Sequence, residues 1–215
     1  MKIAIINGSP KSGRNNSQYF ADELENRLGT EVEYFHLKVS RPEIGEDVLK
    51  ELSVCEALVL CFPLYGDGIP SHLLYVLQKI EQFYKNRTGQ REKQKVYALI
   101  NNGFFEGSQN SCALGMLRHW CSRAGLSWGQ GIGIGAGEML GNLPSVPMGY
   151  GPKKTPGKIL AGFADNILNG NSAEDAFCSP DFPRFAFEMM GSSGWKKEAE
   201  KNGLRVRDLY SVPPL

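Results

Sequence analysis

The stretch KIAIINGSPKSGRNNSQYFADELENRLG, residues 2–29, joins a short apolar run to an amphipathic pattern through a polar turn. The β-branched isoleucines predict a strand over residues 2–7. The later apolar residues recur at every fourth position and predict a helix over residues 15–28, which Gly29 ends as a C-cap. A strand that leads through a tight turn into a helix is the first half of a β-α-β unit.

The same alternation continues along the chain. Further strands are predicted at residues 31–37, 57–62, 96–100 and within 127–135, and further helices at 46–53, 71–84, 109–124 and 158–168. Strands that alternate with helices indicate a parallel sheet covered on both faces. We therefore predict an α/β fold, a three-layer, doubly wound, five-stranded parallel sheet of order 2-1-3-4-5.

Two segments between these elements lack a periodic pattern. Residues 87–95 are polar and charged and are predicted to form a hairpin-like surface connection, and residues 136–157 are rich in glycine and proline and are predicted to form a long loop. The alternating glycines of GIGIGAG, residues 131–137, predict instead a strand with one bare face on which a helix or backbone packs closely.

The predicted sheet and its helices define one domain over residues 1–168. Residues 169–215 are predicted to be a C-terminal helical extension, with helices at 183–190 and 195–202. We expect the extension to pack on the domain or at a dimer interface.

Composition excludes several functions. The 215 residues include 24 lysines and arginines and 23 aspartates and glutamates, and a net charge of +1 does not indicate nucleic acid or a membrane surface as a partner. No apolar run approaches the ~18 residues that span a bilayer, and the first residues do not resemble a signal peptide, so we expect a cytoplasmic protein.

Cysteine and histidine spacing predicts no metal site. The five cysteines contain no C-x-x-C pair, which argues against both a metal cluster and a disulfide framework. The three histidines are scattered, and His72, at the start of a predicted helix near the second loop, is expected to be solvated, with contact to a substrate as the alternative.

The turn after the first strand, residues 8–17, suits an anion and is called the first loop below. Small residues let backbone N–H groups converge, and the helix that follows contributes its partial positive charge. The spacing matches neither a nucleoside triphosphatase loop nor a dinucleotide fingerprint, which favours a single terminal phosphate, although an N-cap cluster without a ligand is the alternative. The predicted ligand-binding residues are Ser9, Lys11, Ser12, Arg14, Asn15, Asn16 and Ser17.

Two further turns follow the third and fourth predicted strands. The second loop, residues 63–71, and the third loop, residues 101–107, contain glycines that let backbone approach a flat ligand, and aromatic rings that offer stacking faces. Because parallel strands end at one edge of a sheet, the three loops should meet there and form an FMN site. The predicted ring-binding residues are Pro63, Leu64, Tyr65, Gly66, Asp67, Asn101, Asn102, Gly103, Phe104, Phe105 and Gly107.

These loops resemble those of the NADPH-dependent FMN reductases and the wider flavodoxin-like fold group. The matching positions are Gly8-Ser9-Pro10 with Ser17, then Pro63-x-Tyr65-x-x-x-x-Pro70, then Asn101-x-Gly103-x-x-x-Gly107, and the resemblance extends over residues 1–168. It implies a flavodoxin-like fold, FMN as cofactor, and a homodimer.

The function expected from this resemblance is hydride transfer from NAD(P)H to FMN and on to a small acceptor such as a quinone, a flavin, or an azo or nitro compound. No catalytic acid or base is predicted. Two alternatives stay open, an FMN-binding electron carrier without a small-molecule substrate and a non-catalytic binding protein of the same fold.

Overall fold

The computed structural model describes residues 1–86 and 94–211. Most of the predicted charged connection, residues 87–93, lies outside the described residues. The strands are β1 Lys2–Asn7, β2 Glu33–Lys38, β3 Ala57–Pro63, β4 Lys95–Asn101, β5 Ser127–Ile134 and β6 Ala176–Cys178. The helices are α1 Asn16–Leu28, α2 Glu46–Val54, α3 Ser71–Lys85, α4 Ser111–Ala124, α5 Gly137–Gly141, α6 Lys154–Leu168 and α7 Arg184–Lys201, with 3-10 turns at Gly107–Asn110, Gly151–Lys153 and Val206–Tyr210.

The described strands form one parallel sheet of order β2-β1-β3-β4-β5-β6. The predicted order of the first five strands is confirmed. Side chains alternate between the two faces, so Ala4 and Ile6 join one buried cluster with Leu73 of α3, while Ile3 joins the other with Phe20 of α1. Both faces are buried, as a central parallel sheet requires.

The sheet has a sixth strand that the sequence analysis did not predict. β6 lies in the segment that was assigned to the helical extension, and it pairs with β5 through Ile132↔Ala176, Gly133↔Phe177 and Ile134↔Cys178. A strand of three residues carries no visible period, and its existence depends on the bare surface of its neighbour.

The bare face predicted for the alternating glycines is confirmed within β5 at Gly131 and Gly133, whereas Gly137 lies outside the strand and begins α5. A Cβ at Gly131 would collide with Leu114 of α4, and one at Gly133 would stand 2.7 Å from the carbonyl oxygen of Gly107 and from Phe177. The glycines therefore allow both a helix and the 3-10 turn before it to approach the strand closely.

The prediction of one long loop over residues 136–157 is wrong in part. This segment contains α5, and α6 begins at Lys154, four residues before the predicted start at 158. The glycines and Pro156 hid these helices from the sequence pattern, although proline is tolerated in the first turn of a helix, where its missing N–H is not needed.

The chain divides into two compact units, residues 1–180 and 181–215. Residues 169–180, which the sequence analysis placed with the extension, belong to the first unit. In the second unit, α7 runs without a break where two helices were predicted, because Gly191 and Gly194 lie within the helix and do not end it.

Candidate functional site

A cavity of about 130 Å³ lies at the carboxyl ends of β1, β3 and β4, and residues of all three predicted loops line it. The three predicted loops therefore meet at one place. The residues that line the cavity are Ser9, Lys11, Asn15, Asn16, Ser17, Pro63, Leu64, Tyr65, Asn101, Asn102, Gly103 and Glu138.

The first loop is organised by Asn15, the N-cap of α1. Its backbone is extended, its Oδ1 accepts a hydrogen bond from the Gln18 amide at 2.9 Å, and its Nδ2 donates to the Gly13 carbonyl at 3.1 Å. One side chain thus caps the helix and closes the loop in front of it. The neighbouring backbone N–H groups at this helix N-terminus favour an anion.

Asn7, the last residue of β1, supports the first loop from below. Its Oδ1 accepts from the Ser9 amide at 2.9 Å, and its Nδ2 donates to Gln18 at 2.7 Å. The ammonium of Lys38 lies 3.5 Å from the same Oδ1, and burial lowers the pKa of Lys38. The sequence analysis missed Asn7, although a polar residue that ends a buried strand is a usable signal.

Gly8 is required by the close approach of α3. A Cβ at this position would stand 2.5 Å from Cδ2 of Leu73 and 3.1 Å from Cβ of Phe62. The Gly8 carbonyl oxygen lies 3.1 Å from Nε2 of His72. His72 is therefore half-buried against the first loop, and the expectation of a solvated histidine is wrong.

The second loop presents its aromatic ring through a tight turn. Tyr65 and Gly68 exchange two backbone hydrogen bonds of 3.1 Å, and Gly66 and Asp67 between them have φ of +53° and +60°. Two consecutive positive φ values define a type I′ turn. The Tyr65 ring is 47% exposed, and it lines the cavity while Gly66 and Asp67 make the turn behind it.

The third loop is tied to the other two. Asn101 donates to the Ser17 hydroxyl at 3.0 Å and to the Phe62 carbonyl at 3.3 Å, and its own carbonyl oxygen accepts from the Leu64 amide at 2.8 Å. These bonds join residues distant in sequence at the cavity wall. A change at Asn101 would therefore disturb all three loops.

Asn102 carries an unused acceptor. Its Nδ2 donates to the Glu106 carbonyl at 3.1 Å, whereas its buried Oδ1 has no hydrogen-bond partner among residues 1–86 and 94–211. A buried polar atom without a partner is costly and rare in native proteins. Asn102 as a residue also lines the cavity, so this polar side chain lies at the cavity wall.

Some predicted ligand-binding residues do not line the cavity. They are Ser12, Arg14, Gly66, Asp67, Phe104, Phe105 and Gly107. Gly107 has a clear structural explanation, since a Cβ there would collide with backbone atoms of Gly133 and Cys178. The Phe104 carbonyl accepts from the Ala136 amide, which ties the third loop to the chain after β5.

Glu138 lines the cavity and was not predicted. It lies in the first turn of α5, directly after β5, so a fourth loop at the carboxyl edge of the sheet contributes to the site. The position of this loop after a parallel strand was the available signal, but the glycine-rich sequence around it resembled only a strand and a loop.

The cavity carries one lysine and one glutamate, Lys11 and Glu138. Within the described part of the chain there is no group of three or more side chains placed to bind a metal ion. Among the described helices, none is long and apolar enough to cross a membrane.

The fold and the cavity define a flavodoxin-like protein. The model of the NADPH-dependent FMN reductase family matches residues 1–125, more than half of the chain, and this chain therefore belongs to that family. Comparison of the sequence with curated proteins gives no match.

Solved structures share the fold at low sequence identity. An NADH:FMN oxidoreductase in its apo form is 16% identical with a TM-score of 0.56, and the alignment covers 80% of this chain and 91% of that one. An FMN-dependent NADH-azoreductase from Bacillus anthracis, solved with FMN, is 11% identical with a TM-score of 0.54, covering 79% and 100%. A flavodoxin from Streptococcus pneumoniae is 11% identical with a TM-score of 0.52, covering 79% and 99%.

Proposed function

We propose that this protein is an NAD(P)H-dependent oxidoreductase that binds one FMN in the cavity formed by the three loops and α5. The observation that carries the proposal is the convergence of the N-terminus of α1, an aromatic side chain and the polar side chains of three loops on a single cavity. Family membership supports FMN as the flavin.

The first loop would hold the phosphate. The backbone N–H groups at the N-terminus of α1 and the hydroxyls of Ser9 and Ser17 supply donors, and Lys11 supplies a positive charge. Ser9 and Ser17 are 2% and 1% exposed, and the Ser17 hydroxyl accepts a hydrogen bond from Asn101, which holds it before a ligand arrives. Donors that are ordered in advance bind an anion at a lower entropic cost.

The second and third loops would hold the ring. Leu64 and Tyr65 supply an apolar and an aromatic contact, and Asn102 and Gly103 line the cavity beside them. The side-chain amide of Asn102 is the polar group of this wall that would hydrogen-bond an edge of the isoalloxazine. A Cβ added at Gly103 would have no atom within 4 Å, so there is space beside this residue for the edge of the ring.

A bound flavin supplies the redox chemistry, accepting a hydride from NAD(P)H and passing two electrons to a second substrate. The protein orients the two substrates in turn and need not move a proton for the hydride step. The substrates we propose are small acceptors, namely quinones, free flavin, and azo or nitro compounds. We also propose that the protein works as a homodimer, which sedimentation equilibrium would test.

An electron carrier without a substrate of its own is the second candidate, because the fold is shared with a flavodoxin. Anaerobic mixing of the FMN-loaded protein with NADH and with NADPH separates the two functions. A reductase bleaches the flavin absorbance within seconds with at least one of the nucleotides, whereas a carrier is reduced slowly by both.

The variant Ser9→Asp tests the FMN site. A carboxylate in the first loop would repel the phosphate, and since like charges in contact cost several kcal/mol, we expect the Kd for FMN to rise by about a hundredfold or more. Titration of FMN fluorescence measures the Kd.

Ser40→Asp is the matched control, because Ser40 is exposed after β2 and does not line the cavity. It should leave the Kd unchanged. An unmodified protein that takes up no FMN, or a Ser9→Asp variant with the normal Kd, would refute the proposed site.

A further inference from the structure

α5 packs on two of the polar side chains that line the cavity. Its first and last residues are Gly137 and Gly141. A Cβ at Gly137 would stand 2.9 Å from Oδ1 of Asn101, and one at Gly141 would collide with Oδ1 of Asn16. Two glycines four positions apart lie on one face of a helix, so α5 places this bare face against both amides.

The N-terminal end of α5 is fixed by the third loop. The Ala136 amide donates to the Phe104 carbonyl at 2.5 Å, and the Gly137 amide donates to the Asn102 carbonyl at 2.8 Å. Ala136 adopts a left-handed conformation, with φ of +50°, to make the turn from β5 into α5. This end of α5 therefore moves with the cavity wall.

The C-terminal end of α5 is fixed by Lys153, which is fully buried. Its ammonium donates to the Leu143 carbonyl at 2.7 Å and to the Tyr19 hydroxyl at 2.8 Å, and it lies 4.8 Å from the centre of the Tyr19 ring. Tyr19 is in the first turn of α1, three residues after Asn16. One ammonium thus joins the chain just after α5 to the helix that begins at the first loop.

A buried ammonium is costly unless its protons find acceptors. An apolar side chain at position 153 would avoid that cost, but it would leave the Leu143 carbonyl and the Tyr19 hydroxyl without this donor. The link that Lys153 makes between Leu143 and Tyr19 therefore explains its burial better than core packing does.

We infer that Lys153 is a positioning residue for the flavin site. It holds the end of α5 against α1, so that Gly137 and Gly141 keep the amides of Asn101 and Asn16 in place on the cavity wall. The expected effect on FMN binding rests on the proposed function. The connection between α5 and α1 through Lys153 does not depend on any ligand.

The mechanical connection is tested in the ligand-free protein by hydrogen–deuterium exchange. In Lys153→Met, the amides of Leu140, Asn142 and Leu143 should exchange about tenfold faster or more, because a hydrogen bond from a charged donor is lost. Lys154→Met changes the adjacent exposed lysine and should exchange like the unmodified protein. Ile80→Ala, in the buried cluster on the other face of the sheet from Leu140, should raise exchange across the whole unit without singling out α5.

The functional consequence is tested with FMN. Lys153→Met should raise the Kd about tenfold or more, whereas Lys154→Met and Ile80→Ala should stay within about twofold of the unmodified protein, since neither removes a hydrogen bond of Lys153. Tyr19→Phe removes one of the two acceptors, and its Kd for FMN should lie between that of the unmodified protein and that of Lys153→Met. If Lys153→Met does not fold, Tyr19→Phe replaces it in both experiments.

Each result decides the inference. Unchanged exchange of α5 in both Lys153→Met and Tyr19→Phe would overturn it, and so would faster exchange with an unchanged Kd for FMN. If the unmodified protein binds no FMN, the proposed function fails, and the exchange data alone still decide whether Lys153 holds α5 in place.

Discussion

Gly8 and Gly13 lie in the same loop but have different surroundings. A Cβ at Gly8 would press on Leu73 and Phe62, whereas no atom lies within 4 Å of the Cβ position at Gly13. Composition alone treats the two glycines as equivalent. Only the packing of α3 beneath the first loop distinguishes the two.

Gly8→Ala should lower the free energy of unfolding by about 1–3 kcal/mol, the usual cost of inserting a methyl group into a packed core. It should also weaken FMN binding, because the first loop has to move away from Leu73. Urea denaturation and FMN titration measure the two effects.

Gly13→Ala provides the comparison in the same loop and should change neither quantity appreciably. Equal effects of the two substitutions would mean that contact with α3 does not explain Gly8.

At the scale of elements, β6 and the 3-10 turn at Gly107–Asn110 complete the sheet edge next to β5. Gly107 is in contact with backbone atoms of both strands, and the Gly135 amide donates to the Cys178 carbonyl at 2.9 Å. Gly107 was predicted to bind the flavin ring, and the structure places it in this packing and outside the cavity lining. Backbone in contact with backbone leaves no room for a side chain.

Gly107→Ala should therefore lower the free energy of unfolding by about 1–3 kcal/mol through separation of β6 from β5. Chemical denaturation followed by circular dichroism measures the change. Gly115 lies within α4, and a Cβ added there would have no atom within 4 Å. Gly115→Ala should therefore raise the free energy of unfolding by up to about 1 kcal/mol, since alanine is more favourable than glycine in a helix interior. A Gly107→Ala variant of normal stability with impaired FMN binding would support the original assignment instead.

At the scale of the whole molecule, the buried core determines the response to alkaline pH. Burial raises the pKa of Cys55 to about 11 and the pKa values of Cys121 and Tyr97 to about 12. Unfolding returns these groups to their ordinary values of 9 for cysteine and 10 for tyrosine. Between the two values the folded state binds more protons than the unfolded state, so stability falls as pH rises.

The free energy of unfolding should thus be at its full value below about pH 9 and decline between about pH 9 and 12. Burial lowers the pKa of Lys153, so its contribution to the free energy of unfolding rises with pH and offsets part of the decline. Cys121→Ala removes one of the buried thiols and should make the decline shallower in urea titrations at successive pH values.

Cys112→Ala removes an exposed thiol from the same helix and is the control. It should leave the slope as it is in the unmodified protein. A Cys112→Ala variant whose slope flattens as much as that of Cys121→Ala would show that burial is not the cause.

The sequence by itself determined the α/β class, the order of the first five strands and the meeting of three loops at one edge. These follow from local patterns, because apolar periodicity specifies each element and parallel strands place their following loops together. Lys11, Tyr65 and Asn102 were predicted to bind the ligand for this reason, and all three line the cavity.

Tertiary structure alone decided the remaining features: the strand β6, the helix α5 with Glu138 in the cavity, the role of Gly107, and the burial of Lys153 between α1 and Leu143. None of these has a local pattern, since each depends on which backbone atoms or side chains arrive from distant parts of the chain. A three-residue strand needs a bare neighbour, and a buried lysine needs its acceptors, and packing of the whole unit supplies both.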